Sequence, residues 1–445
     1  MITLKNINLS SIDLSGIDLR GIKLGLGGRG GGSGDGFPQL PGDVTRWHFG
    51  GLTNEMMAAM DDPRIEDADH KGRFLSFKNF AWKEGSGISD VYPGALVFDG
   101  VDDYGVCDNF PILTKEKGYT VVALRQWITR GKGALGLVSN VKNWLKDGAF
   151  LLEYRNIQAD HLNKPISFGV IGSEMDLPHI LTYQISKSYN GVSITTGNFE
   201  GTDVLHVGKL APTNVGTCIN AAIWELVFLD HDATEEELTK IKDYFVKTYP
   251  WLFPDQAWTV VGKTNEDEDR ATIANITGNG NNLVLSNFGF AEGSGYNEEG
   301  EYAGYLVTDG VDDTGRAVGL TISKDFTLVG EWILFSKTSV NAGLSIHPQI
   351  HIFNQPEAIK IVFRTAGKTL PVKSLKAICS DGRCYDENWS ELKINVGEFT
   401  DNKGTLFVAS NGTNYAQIAF KNLGIYDNHI LCIKAYNYLQ TLKAK

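Results

Sequence analysis

The chain repeats itself at long range. Leu96-Val97-Phe98-Asp99-Gly100-Val101-Asp102-Asp103 returns as Leu306-Val307-Thr308-Asp309-Gly310-Val311-Asp312-Asp313. Upstream, Asn79-Phe80-Ala81-Trp82-Lys83-Glu84-Gly85-Ser86-Gly87 returns as Asn287-Phe288-Gly289-Phe290-Ala291-Glu292-Gly293-Ser294-Gly295. Trp47 with Thr53-Asn54-Glu55 is echoed by Trp258 with Thr264-Asn265-Glu266. The matches keep their order at offsets of 211, 208 and 210 residues (47 to 258, 79 to 287, 99 to 309). Solenoid repeats run at about 20–50 residues. A period this long means two copies of one domain, with small loop insertions between them.

At 445 residues, each copy is large enough to bury its own core. The 42% hydrophobic and 11% aromatic content is that of a globular chain. A net charge of -12 argues against nucleic acid as the main partner, because phosphate binding needs clustered Lys and Arg. No stretch approaches the roughly 20 apolar residues of a membrane-spanning helix, so a membrane is not expected either. Met1-Ile2-Thr3-Leu4-Lys5-Asn6 leads into an alternating polar pattern with no apolar run of secretory-signal length. Cys107, Cys218, Cys379, Cys384 and Cys432 form no disulfide framework; Cys379 and Cys384 are close enough in sequence for a local bridge or for two thiols beside a hairpin. The expectation is a protein made and folded in a cytoplasm.

Residues 1–24 read in fives. Ile2 and Leu4, Ile7 and Leu9, Ile12 and Leu14, Ile17 and Leu19, and Ile22 and Leu24 each stand two apart, on one face of an extended strand. The pattern resembles pentapeptide-repeat β-helices, but makes barely more than one coil, too little to bury its own apolar face. These ten residues are therefore expected to attach or oligomerise the chain; the alternative is a plain amphipathic hairpin or tail. Residues 25–39 follow as a tether, with eight glycines between Gly25 and Gly36. The remaining boundaries are expected at 40–254 for the first domain and 255–445 for the second, the prolines of Tyr249-Pro250-Trp251-Leu252-Phe253-Pro254 marking the junction.

Within each copy, short apolar runs are punctuated by Gly, Asn and Asp. Strands are expected at 95–98, 120–124, 221–228, 283–285 and 326–329, with Trp127 and Trp332 each following a strand. Thr234-Glu235-Glu236-Glu237 has the form of a capping box before a helix. Leu431, Ile433, Tyr436 and Leu439 make a similar apolar tail for the second copy. The predicted fold class is all-β: two tandem antiparallel β-sandwiches after a short β-rich N-terminal anchor.

These segments carry a resemblance. A turn-rich stretch, the Leu-Val-Phe-Asp-Gly-Val-Asp-Asp strand and turn, and a final strand before one short helix together look like the laminin-G-like or concanavalin-A-like jelly roll. The layout of sticky segment, tether and two heads resembles fibre or decoration proteins of tailed bacteriophages, in a style similar to phages of gut Bacteroidales, the crAss-like group. That resemblance implies a structural protein of the virion surface, on head or tail, touching capsid or tail proteins. It also implies a homo-oligomer, a trimer by preference, adhering to surface polysaccharide. The alternatives are a bacterial carbohydrate-binding surface protein and, behind it, a glycan-cleaving enzyme.

Little catalytic chemistry is written in the chain. Glycosidases of this fold carry alternating carboxylates along one strand; Glu225 stands alone, so no enzyme and no catalytic residue are expected. His347 and His351 have i, i+4 spacing, but Pro348 argues against the helix a zinc site would need. Asp99, Asp102 and Asp103, and Asp309, Asp312 and Asp313, offer hard oxygens for calcium, the one cofactor to consider. The other reading is that Asp-Gly makes a hairpin and the neighbouring carboxylates cap amides. Trp82, Trp144 and Trp389 are of a type that stacks on sugars, and equally of a type that fills a sandwich core.

Overall fold

The computed structural model describes residues 36–113, 118–129, 136–140, 202–209, 218–335, 342–347, 350–355, 358–363, 366–372, 374–396, 399–410 and 415–444, and the backbone of four further strands between 151 and 184. The Ile and Leu residues of 1–24 and Trp144 lie outside these residues.

The protein is built of antiparallel sheets in two pairs, an all-β sandwich architecture. In the first copy one sheet runs His179–Gln184, Thr120–Trp127, Asn220–Leu229, Leu96–Asp99, Gly87–Ile88, with Val44–His48 also paired to Asn220–Leu229. In the second copy the order is Leu375–Cys379, Thr327–Leu334, Ile418–Tyr426, Tyr305–Val307, Gly295–Asn297, with Gln256–Thr259 also paired to Ile418–Tyr426. The facing eight-stranded sheets likewise match strand for strand. The second copy alone, among the described residues, extends its first sheet by a hairpin, Arg383–Asp386 and Glu391–Lys393.

The register makes the copies comparable residue by residue. Leu96 lies opposite Ile223 as Leu306 lies opposite Phe420, and both long strands bulge at the next residue, Trp224 and Lys421. Trp127 and Trp332, each expected after a strand, lie within Thr120–Trp127 and Thr327–Leu334, and the register shows that they are not equivalent. Trp332 pairs with Phe420, where the first copy pairs Arg125 with Ile223, so Trp332 is the counterpart of Arg125 and not of Trp127.

Each sandwich encloses an aromatic and aliphatic core, around Trp47, Phe98 and Phe228 in the first and Trp258, Phe326 and Phe420 in the second. Facing the core on one side only, Leu283–Ser286 alternates buried and exposed. By contrast, Thr120–Trp127 is buried throughout, because a helix covers its second face. That helix, α2 (Glu235–Thr248), follows the short α1 (Asn54–Ala58) and starts with the expected capping box of Thr234 and Glu237. Its second-copy relative is α3 (Cys432–Gln440), whose buried side is Cys432, Ala435, Tyr438 and Leu439. Of the expected apolar tail, Leu439 is buried, while Leu431 and Ile433 are 57% and 50% exposed. No helix among the described residues is long and apolar enough to cross a membrane.

Candidate functional site

The residues shared by the two copies meet at one corner of each sandwich. Asp99 Oδ1 accepts the amides of Val101 at 2.7 Å and Asp102 at 3.3 Å, and Asp103 Oδ2 accepts that of Asp99 at 3.0 Å. Asp309 and Asp313 repeat this at 2.7, 3.4 and 2.9 Å. Asn79 Nδ2 donates to the Asp102 carbonyl at 3.0 Å and Asn287 Nδ2 to that of Asp312 at 2.9 Å, both asparagines at left-handed φ. Asn54 holds the backbone of Ile88 by two bonds of 2.8 Å, and Asn265 holds that of Tyr296 in the same way. The glycine of the Glu-Gly-Ser-Gly run is required here: at φ 147°, a Cβ on Gly87 would lie 2.3 Å from Asn54 Oδ1.

Within each corner the three carboxylates offer ligand atoms less than 4.8 Å apart, and these are the two such groups among the described residues. Their oxygens turn first to amides of their own turn, as the capping reading expects. Burial, with Asp99 and Asp102 nearby, pushes the Asp103 carboxyl up to about 6 and that of Asp313 in the same direction. A calcium ion takes 6–8 oxygens and would have to compete with those amides.

The copies differ most on the outer face of the sheet that carries the helix. In the first copy that face is apolar and closed: Ala95, Leu124 and Trp224 are buried with Tyr244 and Phe245 of α2, and Trp224 Nε1 donates to the Pro93 carbonyl at 3.1 Å. Beside them, Arg46 and Glu225 form a fully buried pair at 2.8 Å, bounded by Tyr244, Tyr249 and His48. At the register equivalents of Ala95, Leu124 and Trp224 the second copy places Tyr305, Glu331 and Lys421, all partly exposed.

These three join a band of aromatic and charged side chains. The Tyr305 hydroxyl donates to Glu331 Oε1, and Lys421 Nζ lies 3.6 Å from Glu331 Oε2 and 5.4 Å from the Tyr305 ring centre. Burial first, and then Glu331, keep the hydroxyls of Tyr305 and of Tyr436 on α3 protonated far above the usual tyrosine range. Lys376 Nζ stands 4.9 Å over Tyr436 and 5.5 Å over Trp389. The Trp389 and Tyr436 rings meet edge to face at 5.1 Å, with Tyr385 6.0 Å beyond. Trp389 sits at φ 62° in the turn of the added hairpin, where Asp386 Oδ1 accepts the amides of Asn388 at 2.9 Å and Ser390 at 2.8 Å. The turn thus fixes where the partly exposed indole sits.

Of the three tryptophans singled out in the sequence, Trp389 belongs to this band. Trp82 stacks on Phe80 at 5.0 Å and packs against the first core. His347 and His351 lie on the two strands of a hairpin, Ala342–His347 and Ile350–Gln355, and not on a helix. Cys379 and Cys384 point to opposite layers, Cys384 into the inner core and Cys379 into the helix-covered layer, so the local bridge between them is not made. Sequence reading missed Tyr305, Glu331, Lys376, Lys421, Tyr385 and Tyr436. One signal for them stands beside the repeat, where Ala95-Leu96-Val97 aligns with Tyr305-Leu306-Val307 and the first residue differs.

No family model matches the chain, and no curated protein does. Among solved structures, Trypanosoma rangeli sialidase in complex with sialic acid aligns at 10% identity and a TM-score of 0.30, over 85% of this chain and 67% of that one. The binding domain of botulinum neurotoxin serotype D aligns at 8% identity and a TM-score of 0.30, over 79% of this chain and 94% of that one. At these scores the likeness carries no argument about this chain.

Proposed function

We propose that the chain is a non-catalytic adhesion protein whose second sandwich meets glycans through the Trp389 band. The observation that supports this reading is the divergence of the duplicated outer faces. One copy is closed with Ala95, Leu124 and Trp224; the other is open with Tyr305, Glu331 and Lys421. Partly exposed aromatic rings present flat apolar faces to the C–H side of a sugar ring, while a few fixed charges bond its hydroxyls. Glu331 is engaged on both oxygens, by Tyr305 and Lys421, and so serves to orient the band rather than as a general acid. A shallow patch of this kind binds weakly, and presentation on several joined chains raises avidity by about 10²–10⁴.

The finer reading is a virion protein of a tailed bacteriophage, a head or tail fibre or decoration protein. It is anchored by residues 1–24, tethered by 25–39 and assembled as a trimer, with 40–254 and 255–445 as its two heads. Its support is the sequence layout alone. Peptides of this chain in purified, washed particles would agree with it. Particle attachment that survives changing Ile12, Leu14, Ile17 and Leu19 to Ser would contradict the anchor. For the glycan site, the test is binding of the full chain to an array of neutral, N-acetylated and acidic oligosaccharides. Trp389→Ala and Tyr436→Ala are expected to abolish the signal, and binding undiminished by both changes would refute the site.

A further inference from the structure

We infer that Cys379 and Cys432 are a disulfide-forming pair that closes once the protein leaves a reducing environment. Cys379 ends the strand Leu375–Cys379 on its helix-covered side, and Cys432 is the first residue of α3. Their sulfurs are 3.6 Å apart across 53 residues of sequence. A disulfide sets them at about 2.05 Å, so closure needs a movement of about 1.5 Å, within reach of small side-chain rotations. The two thiols are not equivalent. Both are buried, Cys379 fully and Cys432 at 5% exposure at the helix start, and the hydrogen bond between them pulls the Cys379 thiol below the ordinary range. Cys432, at the terminus of α3, is therefore the sulfur a reagent reaches first when the helix start opens, and Cys379 is the thiol that resolves it. Cys384 faces the inner core, and Cys107 and Cys218 belong to the first sandwich.

With a small-molecule disulfide such as oxidised glutathione as the oxidant, Cys432, its proton lost to water as the helix start opens, attacks one sulfur and displaces a thiolate, leaving a mixed disulfide. Cys379, its proton also lost, then attacks Cys432 Sγ and releases the second thiol. The pair gives up two electrons and two protons, and one disulfide reagent becomes two thiols. The bond ties together the two elements that carry Lys376 and Tyr436, fixing both sides of the band.

The test uses the full chain incubated with oxidised glutathione, then unfolded and alkylated in denaturant, diluted, and digested with trypsin without reduction. Cleavage at Arg383 separates Cys379 from Cys384, so the bridged peptides are distinguishable. The expected product joins residues 377–383 to 422–434, with three of five thiols still alkylated. It should raise the melting temperature on the order of 5 °C, reversed by dithiothreitol and absent in Cys432→Ser. Five alkylated thiols after oxidation, or Cys379 joined to Cys384, would overturn the inference; because the primary readout is on the unaltered chain, it does not depend on the variant folding.

Discussion

His206 and Asp103 pull the stability of the first sandwich in opposite directions with pH. His206 is 3% exposed, neither ring nitrogen has a hydrogen-bond partner among the described residues, and its counterpart by register in the second copy is Phe407. Burial, aided by Lys209, lowers its pKa to about 4. The unfolded chain then binds more protons between about 6.5 and 4. The stability this residue contributes is complete above that window and is lost as pH falls through it, by on the order of 3 kcal/mol. His206→Phe should flatten the melting temperature between pH 7 and 4, and melts in that range check it. Asp103 has the opposite sign, because its carboxyl is raised to about 6 in the fold. Its charge costs stability above pH 6 and nothing below the unfolded value near 4. In EDTA, Asp103→Asn should therefore match the parent chain at pH 4 and melt higher at pH 7. A calcium-dependent gain in the parent that the variant lacks would mark the corner as a metal site instead.

At the scale of elements, the buried Arg46–Glu225 pair beside α2 is peculiar to the first copy, since its counterparts in the second are Ala257 and Asn422. Glu225→Gln leaves the guanidinium buried without its counter-charge and should cost about 3–5 kcal/mol in denaturant unfolding. Pairing it with Arg46→Met should recover part of that loss, and a double-mutant cycle measures how much. Much of this level was legible in the sequence. Asp-Gly announced the turns, Thr234 and Glu237 announced α2, and the repeated Leu96 and Leu306 occupy equivalent places in their sheets. The stripe of α3 was only partly legible: of the four apolar residues expected there Leu439 is buried, while Leu431 and Ile433 are exposed, and close packing on Gly424, where a Cβ would lie 3.0 Å from Leu439 Cδ1, selects the face of Ala435 and Leu439. The aromatic band was hidden for another reason. Its residues come from six separate segments, and no local period links Tyr305, Glu331, Lys376, Trp389, Lys421 and Tyr436.

For the molecule as a whole, the expected boundary at 254 passes through a shared apolar layer. Trp251 and Leu252 are buried between the helix layers of the two copies, Tyr426 Oη donates to the Trp251 carbonyl at 3.0 Å, and Lys434 lies 4.2 Å over the Trp251 ring. Gln126 reaches Thr441 at 3.2 Å, and Asn437 reaches the Asp90 carbonyl at 3.0 Å. Trp251→Ala should loosen this junction and split one unfolding transition into two, seen by calorimetry as two peaks in place of one. The function proposed above requires that duplication left one closed face and one glycan-binding face. Its most direct test is binding to an immobilised oligosaccharide already scored on the array, comparing the parent chain, Trp389→Ala and Trp82→Phe. At least tenfold weaker binding by Trp389→Ala, with Trp82→Phe unchanged, is the result expected. Equal binding by the parent and Trp389→Ala would contradict it.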